Sequence, residues 1–240
     1  MKILMKTDSF SVTMSKKVKR GMPVSKKETV KRYILFIISL FFAALGVALT
    51  KSAELGVSPI SSVANVMSLK FTAVSMGNWL IIWNCLLIIG QIIILKRAFK
   101  PIQLMQFPLS FLFGWFTDFG MWLVSFIPIN NYPIRIVLVV SGVVVLAFGV
   151  SLAVIADVIM NSGEAFVKAV ADKVNKNFGT VKTVFDISCV AASIILSLIL
   201  FNMKIVGARE GTLIAAFGTG SVVRLFNKIL TKPVNKILTK

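Results

Sequence analysis

The sequence predicts an all-α, polytopic membrane protein with about six transmembrane helices and two short broken or re-entrant helices. Of its 240 residues, 57% are hydrophobic, and the mean hydropathy is +0.88. A water-soluble domain of this length does not need so much apolar surface. The apolar runs are long enough for α-helical spans and lack the alternating ten-residue segments of a transmembrane β-barrel.

Six apolar runs are assigned as spans, at about Tyr33–Thr50, Asn78–Leu95, Ile102–Phe126, Tyr132–Ala156, Val181–Met203 and Glu210–Phe226. Two further segments, Ser58–Lys70 and Ser162–Phe178, are too short to cross roughly 30 Å of hydrocarbon. The first begins with Ser58-Pro59, because Ser can accept an orphan N–H group and Pro fits the first helical position. Chain breaks at membrane depth are tolerated mainly where the backbone is buried in protein or lines a cavity.

Charge distribution predicts the topology. With both termini on one side, 21 of the 27 basic residues fall on that side, and Arg224 is expected to reach its lipid headgroups. The positive-inside rule therefore predicts a multi-pass protein of the bacterial cytoplasmic membrane with both termini cytoplasmic. Residues 1–30 predict a basic, disordered arm and 229–240 a basic tail, and both suit anionic lipids. Nucleic acid is not expected as a partner, because the charges follow the membrane edges.

Residue types exclude several kinds of chemistry. The chain has no His, so His-based catalysis and His–metal sites are excluded. Cys85 and Cys189 lie inside apolar runs without metal-type spacing and are expected to pack as small hydrophobic residues. No P-loop is present, so ATP is not expected as the direct energy source. We therefore expect no enzyme activity, no cofactor and no metal.

The sequence also indicates an internal duplication. Matching positions at offsets of 102–104 residues are Ala44-Leu45-Gly46-Val47 with Ala147-Phe148-Gly149-Val150, Ser58-Pro59 with Asn161-Ser162, Gly77 with Gly179, Asn84 with Asp186, Gly114 with Gly218, and Gln106 with Glu210. Each repeat, 31–128 and 129–228, then holds three spans and one short helix. Three is odd, so the second repeat is expected to be inverted, with the two short-helix N-termini facing a shared cavity. The alternative is six unrelated helices joined by Gly and Ser contacts.

One set of motifs resembles a known family. Gly56-Val57-Ser58-Pro59, Gly163-Glu164, Asp186 and Arg209-Glu210-Gly211-Thr212 before Gly218 are similar to YczE/YyaS/YitT-type bacterial membrane proteins over about residues 30–228. The YczE-like members are nearest, because nothing here resembles the soluble C-terminal domain of YitT-like members. The resemblance implies a bacterial inner-membrane protein, with small-molecule export sometimes suggested, and it supplies no established binding residue.

Candidate site residues come from helix starts and from ionisable groups within spans. The N-termini at Ser58 and Ser162 present N–H groups and a positive dipole end, which suits an anion. Charge in hydrocarbon is costly, which makes Asp118 and Asp186 candidates for proton coupling, and Glu164 is a third carboxylate that suits a proton or a cation. The substrate-binding candidates are Ser58, Asn65, Asn84, Gln106, Ser162, Glu164, Arg209 and Glu210. Helix capping, interhelical hydrogen bonds and an interfacial Arg209–Glu210 pair are the alternatives for these residues.

These observations favour a secondary transporter, and an exporter in one version, for a small anionic or zwitterionic solute, with proton coupling. The alternative is a non-transporting membrane subunit that supports a partner protein complex. The sequence leaves self-association in the membrane open.

Overall fold

The computed structural model describes residues 26–129 and 131–238, and over these residues it is all-helical. The helices are α1 (Lys26–Ser52), α2 (Pro59–Lys70), α3 (Met76–Leu95), α4 (Gln106–Val124), α5 (Tyr132–Ala156), α6 (Ser162–Val174), α7 (Phe178–Leu200) and α8 (Glu210–Leu238). Six of them, all but α2 and α6, are long and apolar enough to cross a membrane. The predicted fold class is therefore confirmed.

Helix boundaries differ from the sequence expectation at both ends of the chain. α1 begins at Lys26 rather than Tyr33, and its first turn is held by a buried ion pair between Arg32 and Glu28 at 2.9 Å. At the other end, α8 continues through Pro233 to Leu238, so the described part of the expected tail is helical. The rest of the predicted basic arm, residues 1–25, lies outside the described residues.

The centre of the bundle is the contact between α1 and α5. A Cβ added at Gly46 would lie 2.6 Å from Leu146 Cα, and one added at Gly149 would lie 2.9 Å from Ala43 Cα. Residue numbers rise along one helix as they fall along the other, so α1 and α5 are antiparallel. At the 103-residue offset, Gly46 is equivalent to Gly149 and Ala43 to Leu146, so these two contacts are one contact made twice. Such close helix approach depends on small residues.

The remaining packing follows the same exchange of repeats. α1 lies along α4 as α5 lies along α8, while α2 packs on α7 and α6 packs on α3. Phe41 meets Phe116 at a ring-centroid distance of 5.4 Å, and Phe148 meets Phe226 at 5.5 Å. Equivalent helices that run antiparallel, within repeats that pack alike, agree with the predicted inverted repeat.

The two described chain termini lie at the same end of the bundle. The Lys31 ammonium donates to the Ile237 carbonyl at 3.3 Å, which joins the start of α1 to the end of α8. At this end Arg32 also donates to the Ile155 and Ala156 carbonyls, the last turn of α5, at 3.3 and 3.1 Å. We call this the terminal end, and the opposite one, where α1 finishes at Ser52, the far end.

The Gly149 contact predicts a sharp difference between two glycines. Gly149→Ala places a methyl group against the α1 backbone and is expected to lower the free energy of unfolding by about 1–3 kcal/mol. Gly220→Ala is the matched control, because nothing lies within 4 Å of its added Cβ among the described residues. It is expected to be neutral or slightly stabilising. Thermal unfolding in detergent, followed by Trp fluorescence, measures both; equal losses would contradict the packing.

Candidate functional site

A cavity of about 410 Å³ lies inside the bundle, and both short helices begin at its wall. Ser58 and Pro59 line it from the start of α2, and Asn161 and Gly163 line it from the start of α6. The two helix starts are close neighbours, because a Cβ added at Gly163 would lie 3.1 Å from Ile60 Cδ1. The structure therefore brings the two predicted helix starts to one cavity.

The two helix starts are built differently. In α6 the Asn161 side chain accepts a hydrogen bond from the Ser162 N–H at 3.0 Å. In α2 the expected side-chain cap is not formed: the Ser58 hydroxyl instead donates to the Ser61 hydroxyl at 3.0 Å. The reason is local, since the Ser61 N–H is already taken by the Ser58 carbonyl at 3.0 Å. The α2 start thus faces the cavity without a side-chain cap.

A buried polar network fixes α6 against α3 and α4. The Ser162 hydroxyl donates to Asn84 Oδ1 at 2.8 Å, and the Ser162 carbonyl accepts from Gln91 Nε2 at 3.1 Å. Gln91 and Gln106 also exchange hydrogen bonds at 3.0 and 3.2 Å. Of these residues, Asn84 lines the cavity. Ser162 and Gln106 are buried and act through interhelical hydrogen bonds.

Four ionisable side chains line the cavity: Glu164, Lys182, Asp186 and Arg224. Lys182 and Asp186 form an ion pair with a nitrogen–oxygen distance of 2.5 Å. Among the described residues, Glu164 has no hydrogen-bond or ion-pair partner. The Arg224 guanidinium donates to the Ser221 hydroxyl at 3.2 Å and has no carboxylate partner among the same residues. One carboxylate and one guanidinium in this cavity are therefore left for a ligand.

The protein environment of Glu164 favours its protonated form. Burial raises the pKa of Glu164 above its ordinary value of 4.5; the nearby Lys182 ammonium lowers it in part, and Asp186 raises it further. The carboxyl group faces the cavity yet is enclosed by protein, so bulk water does not solvate its charge.

Other predicted site residues lie at the far end. Asn65 and Arg209 line a separate crevice of about 430 Å³. There Asn65 Oδ1 accepts from the Lys51 ammonium at 2.6 Å, and Asn65 Nδ2 donates to the Gly207 carbonyl at 2.8 Å. Glu210 pairs with Arg209 at 3.5 Å. These residues connect α1, α2 and the α7–α8 loop, and the structure does not place them in the central cavity.

Asp118 is held in a local structure at the far end. Its carboxylate accepts from the Ser75 hydroxyl at 2.6 Å and from the Gly77 N–H at 2.8 Å. Both donors belong to the start of α3, so Asp118 joins α4 to that helix start. The two proton-coupling candidates are thus separated, with Asp186 in the cavity and Asp118 outside it.

Sequence reasoning missed several cavity residues. Arg224 was expected at the headgroups and Lys182 was counted only for topology, yet both line the cavity with Asn161, Thr219 and Asn227. The Thr219 hydroxyl oxygen is buried without a hydrogen-bond partner among the described residues. A signal for Arg224 was present, since it lies within the predicted sixth span, where a charge is costly.

Fold and site together define a six-span membrane protein whose two short helices meet at a charged internal cavity. A family model described as "Family of unknown function (DUF6198)" matches residues 30–228 of the chain. The protein belongs to this family. No curated protein and no solved structure matches the chain.

The raised pKa of Glu164 predicts a pH-dependent stability. The folded state binds this proton more tightly than the unfolded chain, so the free energy of unfolding falls as pH rises from below 4.5 through the raised pKa. Glu164→Gln is expected to remove this decline. Thermal unfolding of wild type and variant across that range measures it, with Glu210→Gln as the control. An unchanged decline in Glu164→Gln would contradict the burial of this charge.

Proposed function

We propose that the protein is a secondary transporter for a small zwitterionic solute. The observation that carries the proposal is the pair of ligand-free charges, Glu164 and Arg224, in one cavity with two helix N-termini. A cavity of about 410 Å³ suits a single small molecule. Inverted repeats with interrupted helices place transport sites at the repeat interface, which is where α2 and α6 begin.

The cavity offers a separate seat for each charge of a zwitterion. An acidic group of the solute binds Arg224, whose planar guanidinium pairs well with carboxylate or phosphate. The positive dipole ends of α2 and α6 attract the same group. An ammonium group of the solute binds the Glu164 carboxylate. The Lys182–Asp186 pair is neutral overall, so it leaves this division of charge in place.

Glu164 also supplies the coupling to protons. Its carboxylate holds either a proton or the ammonium group of the solute, because protonation removes the negative charge that the ammonium needs. Proton entry therefore displaces the solute, and solute binding displaces the proton. This competition produces proton–solute exchange, the arrangement that an exporter driven by an inward proton gradient requires.

The finer assignment is also a proposal. Within the family of residues 30–228, we place the chain with YczE-like members of the bacterial cytoplasmic membrane, with both termini cytoplasmic. The charge excess at the terminal end supports this orientation: Lys31, Arg97, Lys173, Arg224 and Lys236 belong to that end of the bundle. A green fluorescent protein fused after Lys240 tests it, because the fusion fluoresces only in the cytoplasm.

Ligand binding tests the site directly. Detergent-purified protein is screened by thermal shift against amino acids, other small zwitterions, carboxylates and phosphate esters. A concentration-dependent shift is expected for zwitterions, and it should be lost in Arg224→Gln and in Glu164→Gln. Arg209→Gln is the matched control, because Arg209 lies in the far-end crevice and its variant should keep the shift.

Two results would contradict the proposal. A shift that is lost in Arg209→Gln but kept in Arg224→Gln would place the site in the far-end crevice. The absence of any ligand shift in well-folded protein would favour the alternative, a membrane subunit that supports a partner complex.

A further inference from the structure

The two repeats have one difference in packing, and it concerns the cavity. In the first repeat α3 packs along α4. In the second repeat the equivalent helices, α7 and α8, do not pack along each other. The cavity separates them instead, with Phe178 and Lys182 on one wall and Ala216 and Gly220 on the other. One repeat is closed and the other is open.

The closed contact of the first repeat is made by two glycines. A Cβ added at Gly114 would lie 2.7 Å from the Gly77 carbonyl oxygen and 2.6 Å from Ile81 Cγ1. A Cβ added at Gly77 would lie 2.6 Å from Asp118 Oδ2 and would also strike the Gly114 carbonyl. The hydrogen bond from the Gly77 N–H to Asp118 holds this contact at the far end. No side chain larger than hydrogen fits either position.

The second repeat has the same two glycines but not the contact. Gly77 is equivalent to Gly179, and Gly114 is equivalent to Gly218. A Cβ added at Gly179 would meet only Asn177 Oδ1, at 3.2 Å, among the described residues. One added at Gly218 would meet only Val143 Cγ1, at 3.2 Å, among those residues. Neither glycine touches the other helix, although both have the small size that the closed contact needs.

We infer that the protein has a second conformation in which α7 closes on α8 through Gly179 and Gly218. In that conformation α3 and α4 separate at Gly77 and Gly114. The opening of the cavity then moves from the α7–α8 side to the α3–α4 side. The inference rests on the proposed transport function and supplies its conformational step.

The energetic reason lies in the inverted repeat. Opening α3 from α4 loses one glycine contact, and closing α7 on α8 forms the equivalent contact in the other repeat. Since α1 and α5 run antiparallel, the two contacts lie toward opposite ends of the bundle. Two conformations that exchange equivalent contacts differ little in free energy, which is the condition for a two-state switch. A cavity that opens alternately toward each end is what a transporter with inverted repeats requires.

Cross-linking of a cysteine pair tests this closure. In the first repeat the Cβ position of Gly77 touches the side chain of Asp118, whose equivalent at the 104-residue offset is Val222. Gly179→Cys with Val222→Cys is therefore made in the full chain, in a Cys85→Ala and Cys189→Ala background. Native membranes are treated with copper phenanthroline, and free thiols are then counted by the gel shift of a maleimide–polyethylene glycol. Cysteines whose Cα atoms are more than about 7 Å apart cannot form a disulfide.

The expected result is loss of the two-thiol gel shift in the oxidised pair, with recovery after reduction. Gly179→Cys with Leu213→Cys is the control on the same two helices and should keep both thiols free. In the Gly218→Leu background, the cross-link of the test pair should also be lost, because the leucine blocks closure. Free thiols in the test pair at every pH, in protein that unfolds like the background, would overturn the inference. Because this readout needs no solute, it fails independently of the binding experiment.

Discussion

The protein is organised by one constraint, the satisfaction of backbone hydrogen-bonding groups away from water. Helices α2 and α6 end their N-terminal turns inside the bundle, where free N–H groups are costly unless protein or a polar cavity receives them. The structure meets this constraint by placing both turns at one cavity and by packing each short helix on a span of the other repeat. Charge at the cavity wall then follows, because two positive helix ends favour acceptors such as Glu164.

The central α1–α5 contact determines where that cavity can lie. Gly46 and Gly149 allow the two backbones to approach closely, so the cavity cannot extend between these helices there. Space is left on the other side of each short helix, toward α3–α4 and α7–α8. The former is closed by Gly77 and Gly114, and the latter holds the cavity. Glycines thus decide both the rigid axis of the bundle and the position of its internal space.

Sequence patterns could predict the elements but not the direction of their side chains. The starts of α2 and α6 were predictable, because Pro59 and Asn161 break apolar runs at one repeat offset. Arg224 was not placed, because α8 is apolar on most sides and its rotation depends on the helices around it. Asp118 was separated from the site for a similar reason: its partner Ser75 is near only because α3 and α4 pack antiparallel. Such contacts need the tertiary structure.

The most direct measurement of this account is the distance between the two helix starts in the membrane. Ile60→Cys and Gly163→Cys place two thiols where a Cβ at Gly163 would lie 3.4 Å from Ile60 Cγ2. In the Cys85→Ala and Cys189→Ala background, this pair is expected to form a disulfide in native membranes without added oxidant or with mild oxidant. A pair that remains reduced under strong oxidation, in folded protein, would show that α2 and α6 do not meet at a common cavity.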